Sequence, residues 1–479
     1  MKSHAFRMAA VTAALLMLPL QCLHAQDGSK NQEPKPKPKP ETETEKETAP
    51  AFPLKAAPGA RHLTDGKGKP WFYNADTAWM LFLKLTKEEA AEYLKDRKAK
   101  GFNTVQVMLT GFVGMKNREG RLPFGPEQDF ARPDEAFFSH VEKVVEEAGR
   151  QGLLLAIAPA WSGCCGEGWA GKEKDGSLKP LNRNGEDKCR ELGKYLGRRF
   201  GRFSNVMWIM GGDMDPDNAR GEIRHLALGL KEAAPDQLLT YHASSSHSST
   251  DVWPVDEPWL DVTMVYTYFR GFNKAWNKNQ PDVYEVSHAE FAKSPVRPFF
   301  LGESTYEGEH ADWGSALQAR KQAYWAVLGG GFGNAYGSPN WNFPPQWREV
   351  MQLPGAASLK HFRRIFESRP WWTLQPDVKR KFLLEDERPT AANDSATAAV
   401  AADGGFAMVY LPSDRRVKMD PAVLSGKKPA GWWMEAATGK VSQVVDGPRE
   451  SGPWSTRPPA QGDWLLLLDD ASRGYPAPG

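Results

Sequence analysis

Two acidic residues stand where carboxylate chemistry is to be expected. "NVMWIMGGDMDPDN" (205–218) contains a short apolar run that stops at two glycines and Asp213, and "RPFFLGES" (297–304) ends a second such run at Glu303. Runs of this length, too short for most helices, read as buried strands of a parallel sheet, each delivering a carboxylate at its exit. A pair of carboxylates is what cleavage of a glycosidic bond needs. One acid protonates the departing oxygen, while the other attacks the anomeric carbon or activates water. The two roles sit about 5–5.5 Å apart in a retaining enzyme and about 6.5–9.5 Å apart in an inverting one. The acid must keep its proton near neutral pH, which burial or a neighbouring negative charge provides. Singly, such a residue is most often a helix cap or an ion-pair partner. The pair gains meaning only if both side chains enter one cleft.

Other chemistries use the same residue types. Asp213, Asp215 and Asp217 alternate as in a calcium loop, but Asn218 and Arg224 stand where that loop wants Gly and Glu, so Asp217 reads as a cap for the next helix. His242, His247 and His310 lack a clear carboxylate partner for zinc, and hydrogen bonding to sugar hydroxyls is the simpler role for His242. No G-x-S-x-G elbow is present, and the glycines of "GGGFGNAYG" (329–337) lie between a helix and a strand, which suits close backbone packing rather than a dinucleotide. Neither a metal nor a cofactor is expected.

The elements that must position the pair alternate. Strands are expected at 71–75, 103–109, 153–158, 205–210, 238–242, 261–267, 298–302 and 331–336, and helices near 86–100, 134–151, 186–200, 218–234, 282–292, 313–328 and 347–366. Thr86 followed by Glu89 opens the first helix as a capping box. This alternation is that of a (β/α)8 TIM barrel, whose active site lies at the C-terminal ends of the strands. Strands four and seven then face each other across the mouth. The strand ends are expected to line the cleft with Asp76, Trp79, Gln106, Trp161, His242, Tyr266, Tyr268 and Trp341. After residue 370 short alternating segments separated by Gly, Pro and Asp predict a small all-β sandwich domain, placed at 371–470 with a tail at 471–479.

The first residues, "MKSHAFR" and an apolar run from Met8 to Leu20 followed by Ala25, read as an export signal at 1–25, too short to span a bilayer. Leu20 and Gln21 before Cys22 disfavour lipidation, so the mature chain is expected to be periplasmic or secreted. Residues 26–52 alternate Pro with Lys and Glu with Thr and read as an extended tether. The barrel domain takes 53–370. A net charge of +2, from 61 basic and 59 acidic residues spread without long blocks, gives no footprint for nucleic acid, and no later segment is apolar enough for a membrane span. The 18 Trp and 23 Phe suit a cleft that stacks on flat-faced ligands, though any single ring is a better candidate for core. One disulfide is expected, from Cys164 or Cys165 to Cys189.

The run "LTDGKGKPWFYNADTAWMLFLKLTKEEAAEYLKDRKAKGFNTVQV", with "WIMGGDMDP", "LGESTYEG" and "ARKQAYWAVLGGGFGNAYGSPNWNF", resembles the apiosidase-like glycoside hydrolases, (β/α)8 enzymes related to the retaining clan A glycosidases. The tail, with "GWWMEAATGKV" and "DWLLLLDD", is similar to a module named for collagen binding that commonly follows such barrels. The resemblance implies that Asp213 is the acid/base and Glu303 the nucleophile, and that Tyr266 or Tyr268 donates a hydrogen bond to Glu303. Most clan A enzymes carry Asn–Glu at strand four. Gly212–Asp213 stands here, the shorter acid that the apiosidase-like group shares. The expected activity is that of an exported retaining glycoside hydrolase acting on polysaccharide or oligosaccharide, with apiose-containing pectic side chains as the implied substrate. A non-catalytic carbohydrate- or matrix-binding protein and a metal-dependent peptidase are the competing expectations.

Overall fold

The structure, a computed structural model, describes residues 50–269, 280–309, 313–388, 392–426, 428–445, 447–448 and 452–479. The expected signal, most of the tether and His310 lie outside these residues. The barrel strands are β1 Tyr73–Thr77, β2 Thr104–Met108, β3 Leu154–Ala158, β4 Val206–Gly211, β5 Leu239–His242, β6 Thr263–Tyr266, β7 Phe299–Glu303 and β8 Gly333–Tyr336. Their helices are α1 Lys87–Ala99, α2 Glu135–Arg150, α3 Pro180–Phe200, α4 Arg220–Ala233, a single turn α5 Ser249–Val252, α6 Val283–Phe291, α7 Ala316–Leu328 and α8 Pro354–Glu367. Neighbouring strands pair in parallel from β1 through β5, from β6 through β8, and from β8 back to β1.

The barrel closes less regularly between β5 and β6. There the amides of Asp261 and Val262 donate to the Leu239 carbonyl at 3.0 and 3.2 Å. The Ser249 hydroxyl donates to Tyr241 O at 2.7 Å and accepts from the Met264 amide at 2.8 Å. A two-residue strand, His247–Ser248, adds antiparallel to β6 and makes a nine-stranded sheet. The result is a nearly closed barrel with helices, consistent with a (β/α)8 fold.

Local chemistry explains the helix ends. Thr86 and Glu89 form the capping box of α1, Asp134 caps α2 by accepting from Phe137 N, and Ser315 caps α7. Helix α3 breaks at Gly185, whose φ of 71° leaves the helical region, and Pro354 restarts the chain as α8 after the short helix Trp347–Val350. The first barrel strand begins two residues later than the sequence pattern suggested. Pro70–Trp71 instead joins a small antiparallel sheet with 55–56 and 63–64.

Following the barrel, β9 Leu374–Pro376, β10 Leu383–Asp386, β11 Thr397–Ala401, β12 Phe406–Leu411, β13 Val417–Met419, β14 Pro429–Glu435, β15 Val441–Gln443, β16 Trp454–Thr456 and β17 Trp464–Asp470 build two antiparallel sheets, of six strands and of three. Side chains from both sheets meet in one buried cluster that includes Leu383, Val409, Met419, Trp433 and Leu466. The opposite face of the larger sheet joins the barrel's own core through Phe406, Met408 and Tyr410. There Tyr324 of α7 stacks on Tyr410 at 4.3 Å, and two buried bidentate pairs, Arg320–Asp463 and Arg369–Asp469, cross the boundary.

The disulfide differs from expectation. Cys164 bridges its neighbour Cys165 in the loop after β3, and Cys189 is a free thiol buried on α3, where burial pushes its ionisation upward. Helical geometry sets Cys189 on the core side of α3, beneath Leu181, away from the exposed cysteine loop.

Candidate active site

Strand β4 delivers Asp213 through an unusual turn. Gly211 and Gly212 have φ of 81° and 127°, and Asp213 itself has φ of 51°. A Cβ at Gly211 would lie 2.5 Å from the Tyr241 ring and one at Gly212 2.3 Å from the Trp161 ring, so only glycine passes between them. The left-handed residue costs about 1 kcal/mol or more, and the surrounding bonds hold it. Gly212 N donates to His242 O at 2.9 Å, Gly163 N donates to Gly212 O at 3.0 Å, and Tyr241 OH donates to Met214 O at 2.7 Å.

Glu303 ends β7, and its Oε2 lies 2.7 Å from His242 Nε2. Ligand atoms of Asp213, His242 and Glu303 all lie within 4.8 Å of one another, so β4, β5 and β7 converge on one point. Asp213 is pushed up to about 7 by burial first and by the Glu303 charge second; His242 and the hydroxyl of Tyr266 oppose the shift. Its Oδ1 is buried with no hydrogen-bond partner among the described residues. For His242, burial alone would lower basicity, but the bond to Glu303 and the charges of Glu303 and Asp213 outweigh it, and the net direction is up. The three residues are also close enough to share a divalent cation.

Above the pair lies a cavity of about 200 Å³ lined by Trp79, Met108, Phe112, Trp161, Tyr268, Tyr306, Glu309 and Trp341 as well as the two carboxylates. Trp79 and Trp161 pack at 4.7 Å. Trp79 Nε1 donates to Tyr306 OH at 3.0 Å, and Trp341 Nε1 donates to Glu309 Oε1 at 2.7 Å. Trp79, Trp161, Tyr268 and Trp341 thus meet Asp213 and Glu303 in one cavity, with His242 and Tyr266 packed against the carboxylates behind it. The Tyr266 and Tyr268 hydroxyls are 3.1 Å apart. Met108, Phe112, Tyr306 and Glu309 were not anticipated. Tyr306 could have been, since "GESTYEG" carries it three residues past Glu303.

Two expected lining residues lie elsewhere. Asp76 is fully buried on the outer face of β1, hydrogen-bonded by Tyr93 OH and 3.6 Å from Arg97 Nη1, both on α1. Gln106 is fully buried inside the barrel below the cleft, where it accepts from Tyr73 OH at 3.1 Å and donates to Thr77 Oγ1 and Gly302 O. Asp217 is not a side-chain cap: it forms an exposed pair with Arg220. His247 pairs with Asp215 at 2.9 Å rather than joining His242.

An aromatic-walled cavity with two close carboxylates at the C-terminal rim of a (β/α)8 barrel defines the glycoside hydrolase class. Residues 57–373 match the family "Apiosidase-like, catalytic domain", and the chain belongs to that family. Residues 380–469 match the family "Putative collagen-binding domain of a collagenase". Among solved structures, the chain is similar to one named glycoside hydrolase (23% identity, TM-score 0.76, covering 89% of this chain and 98% of that one). It is also similar to a glycoside hydrolase family 5 protein from Bacteroides vulgatus ATCC 8482 (22% identity, TM-score 0.77, covering 88% and 94%). No curated protein matches the chain. The enzyme is a glycoside hydrolase; among its described residues no helix is long and apolar enough to cross a membrane.

Proposed function

We propose that the protein is an exported retaining glycoside hydrolase, with Asp213 as acid/base and Glu303 as nucleophile. The observation that carries this reading is that an oxygen of each carboxylate lies within 4.8 Å of the other, which favours the close pair of a retaining enzyme, about 5–5.5 Å, over the about 6.5–9.5 Å of an inverting one. Glu303 attacks the anomeric carbon as Asp213 gives its proton to the departing oxygen. Asp213 then takes a proton from the water that releases the sugar. An acid that titrates near neutrality suits both halves of this cycle. The rings of Trp79, Trp161 and Trp341 offer faces to the sugar, and about 200 Å³ suits a short reach of substrate, one ring at the cleavage point. Asp76 and Gln106 act from behind, as supports.

Apiose-containing pectic side chains are the substrate this reading favours, on the strength of the family. Residues 1–25 support export, and the cluster shared by the two C-terminal sheets supports a sandwich. The test is a reducing-sugar assay across pectic and arabinogalactan side chains, with the anomer of the first product followed by NMR. Release of sugar with retained configuration is expected. Inverted product would overturn the mechanism, and binding to insoluble glycan or collagen without any release would favour the non-catalytic alternative.

A further inference from the structure

His242 touches the Glu303 carboxylate and the backbone of Asp213, and it does so as a fixed body. It is the last residue of β5, fully buried, with its ring held edge-on by Trp161 and Tyr266 at 5.0 Å each and by Trp79 at 6.1 Å. Pairing of β4 with β5 aligns Gly211 with His242, which brings the imidazole to the turn that carries Asp213. On one edge Nε2 lies 2.7 Å from Glu303 Oε2; on the other Nδ1 lies 3.2 Å from the Asp213 backbone nitrogen and 3.1 Å from Ala243 O. The tautomer with its proton on Nε2 satisfies both carboxylate-bearing residues. Nε2–H donates to Glu303, and the bare Nδ1 accepts the amide of Asp213, whereas a proton on Nδ1 would be given to Ala243 O and leave that amide without its acceptor.

We propose that His242 is a positioning residue that bridges the Glu303 carboxylate and the backbone amide of Asp213, fixing the Glu303 oxygen on one side and the left-handed turn that carries Asp213 on the other, and so sets the separation of the two acids. The inference rests on the catalytic reading given above and goes beyond it, because the cavity wall does not include His242 and a contact with sugar is not its task. Asp213 is the residue that most needs such support. Two glycines precede it, its φ is 51°, and one carboxyl oxygen has no partner among the described residues. Without the imidazole, the Asp213 amide loses its side-chain acceptor and Glu303 loses a charge-assisted donor. The groups that face the ring are Glu303 from β7, Asp213 from β4 and Tyr266 from β6. Tyr268, Tyr306 and Glu167 stand close enough to influence the same carboxylates.

The experiment compares His242→Ala, His242→Gln and His242→Asn with wild type on the 4-nitrophenyl and 2,4-dinitrophenyl glycosides of whichever sugar the wild type releases. Gln can keep the donor to Glu303, and Asn can keep an acceptor for the Asp213 amide. For Ala we expect a fall in kcat of about 10²-fold on both substrates with KM changed less than about threefold. Gln and Asn should each recover part of the loss, and the alkaline limb of the pH profile should move. A rise in KM at constant kcat would assign His242 to sugar binding and overturn the proposal, as would activity losses that only follow the folded fraction. A second readout does not depend on turnover: nitrogen-15 NMR of labelled histidines in the whole enzyme should show His242 as the Nε2–H tautomer, with its signals shifting in Glu303→Gln. An Nδ1–H tautomer would sink the proposal even if the protein is a retaining enzyme, while the expected tautomer in a protein without activity would sink the enzyme reading alone.

Discussion

Asp76 and Asp213 both stand at the C-terminal ends of barrel strands, both are shifted upward by burial, and yet they have opposite fates. Asp76 lies on the outer face of β1, where α1 answers it with Tyr93 and Arg97, four residues apart on one helix face. Arg97 is itself fully buried and donates to Met351 O at 2.6 Å, so the group ties strand to helix and to the short helix before α8. Among the described residues no arginine or lysine pairs with Asp213, and the imidazole of His242 is the one basic group acting on it. The largest charge acting on it is another carboxylate, Glu303, and its Oδ1 has no hydrogen-bond partner among the described residues. A buried acid paired with a guanidinium is architecture; a buried acid facing a like charge is available for proton transfer.

Substitutions should separate the two. The largest effect is on turnover: Glu303→Ala and Asp213→Ala should each lower kcat by at least about 10³-fold, whereas Asp76→Asn should leave kcat per folded molecule within about threefold, all read by initial rates on a cleaved glycoside. If Asp76→Asn cost as much as Asp213→Ala, the contrast would be void. Next comes stability. Removing the Arg97 guanidinium in Arg97→Met strands Asp76 and should cost about 3–5 kcal/mol, read by urea unfolding, with no such loss for Asp213→Asn.

Protonation gives the third effect. Because the folded pKa of Asp213 is raised to about 7, the native state holds a proton that the unfolded chain releases near pH 4. This contribution to stability is therefore fullest below about pH 4, declines as pH rises, and is gone above about 7. Asp213→Asn should raise Tm at pH 8 by about 1–4 °C and leave it unchanged near pH 4, measured by calorimetry. By the same titration, kcat/KM of the wild type should fall above about pH 7. The smallest expected change is none: chelator should leave the rate within error, and a loss restored by zinc would turn Asp213, His242 and Glu303 into ligands.

How much of this was legible follows from strand periodicity. The runs before Asp213 and Glu303 are buried on both faces, so they read as continuous apolar stretches and gave the barrel and the pair. Alternation along β1 also carried the answer for Asp76. Tyr73 and Thr77 face inward to Gln106, so Asp76, at the opposite parity, must face α1. Treating every polar residue at a strand's end as lining the cleft overlooked that parity. Phe112, Tyr306 and Glu309 sit in loops whose path no local pattern sets, and His242's span depends on the register between β4 and β5. Adjacent cysteines gave no cue that they would bridge each other, and the one-turn α5 after β5 was hidden by its four-residue length.

The two arginine–aspartate pairs between α7, the end of α8 and the last β-strands carry a practical consequence for anyone who wants the barrel alone. Cutting the chain near residue 373 would take away Asp463 and Asp469, leaving Arg320 and Arg369 without their counter-charges, and would bare the face of Tyr324 and the apolar surface around it. Swapping the tail for another anchor would meet the same obstacle unless the replacement brought both acids in register. The module is thus a load the hydrolase is built to carry, and a shortened enzyme should be sought by trimming loops rather than by removing the tail.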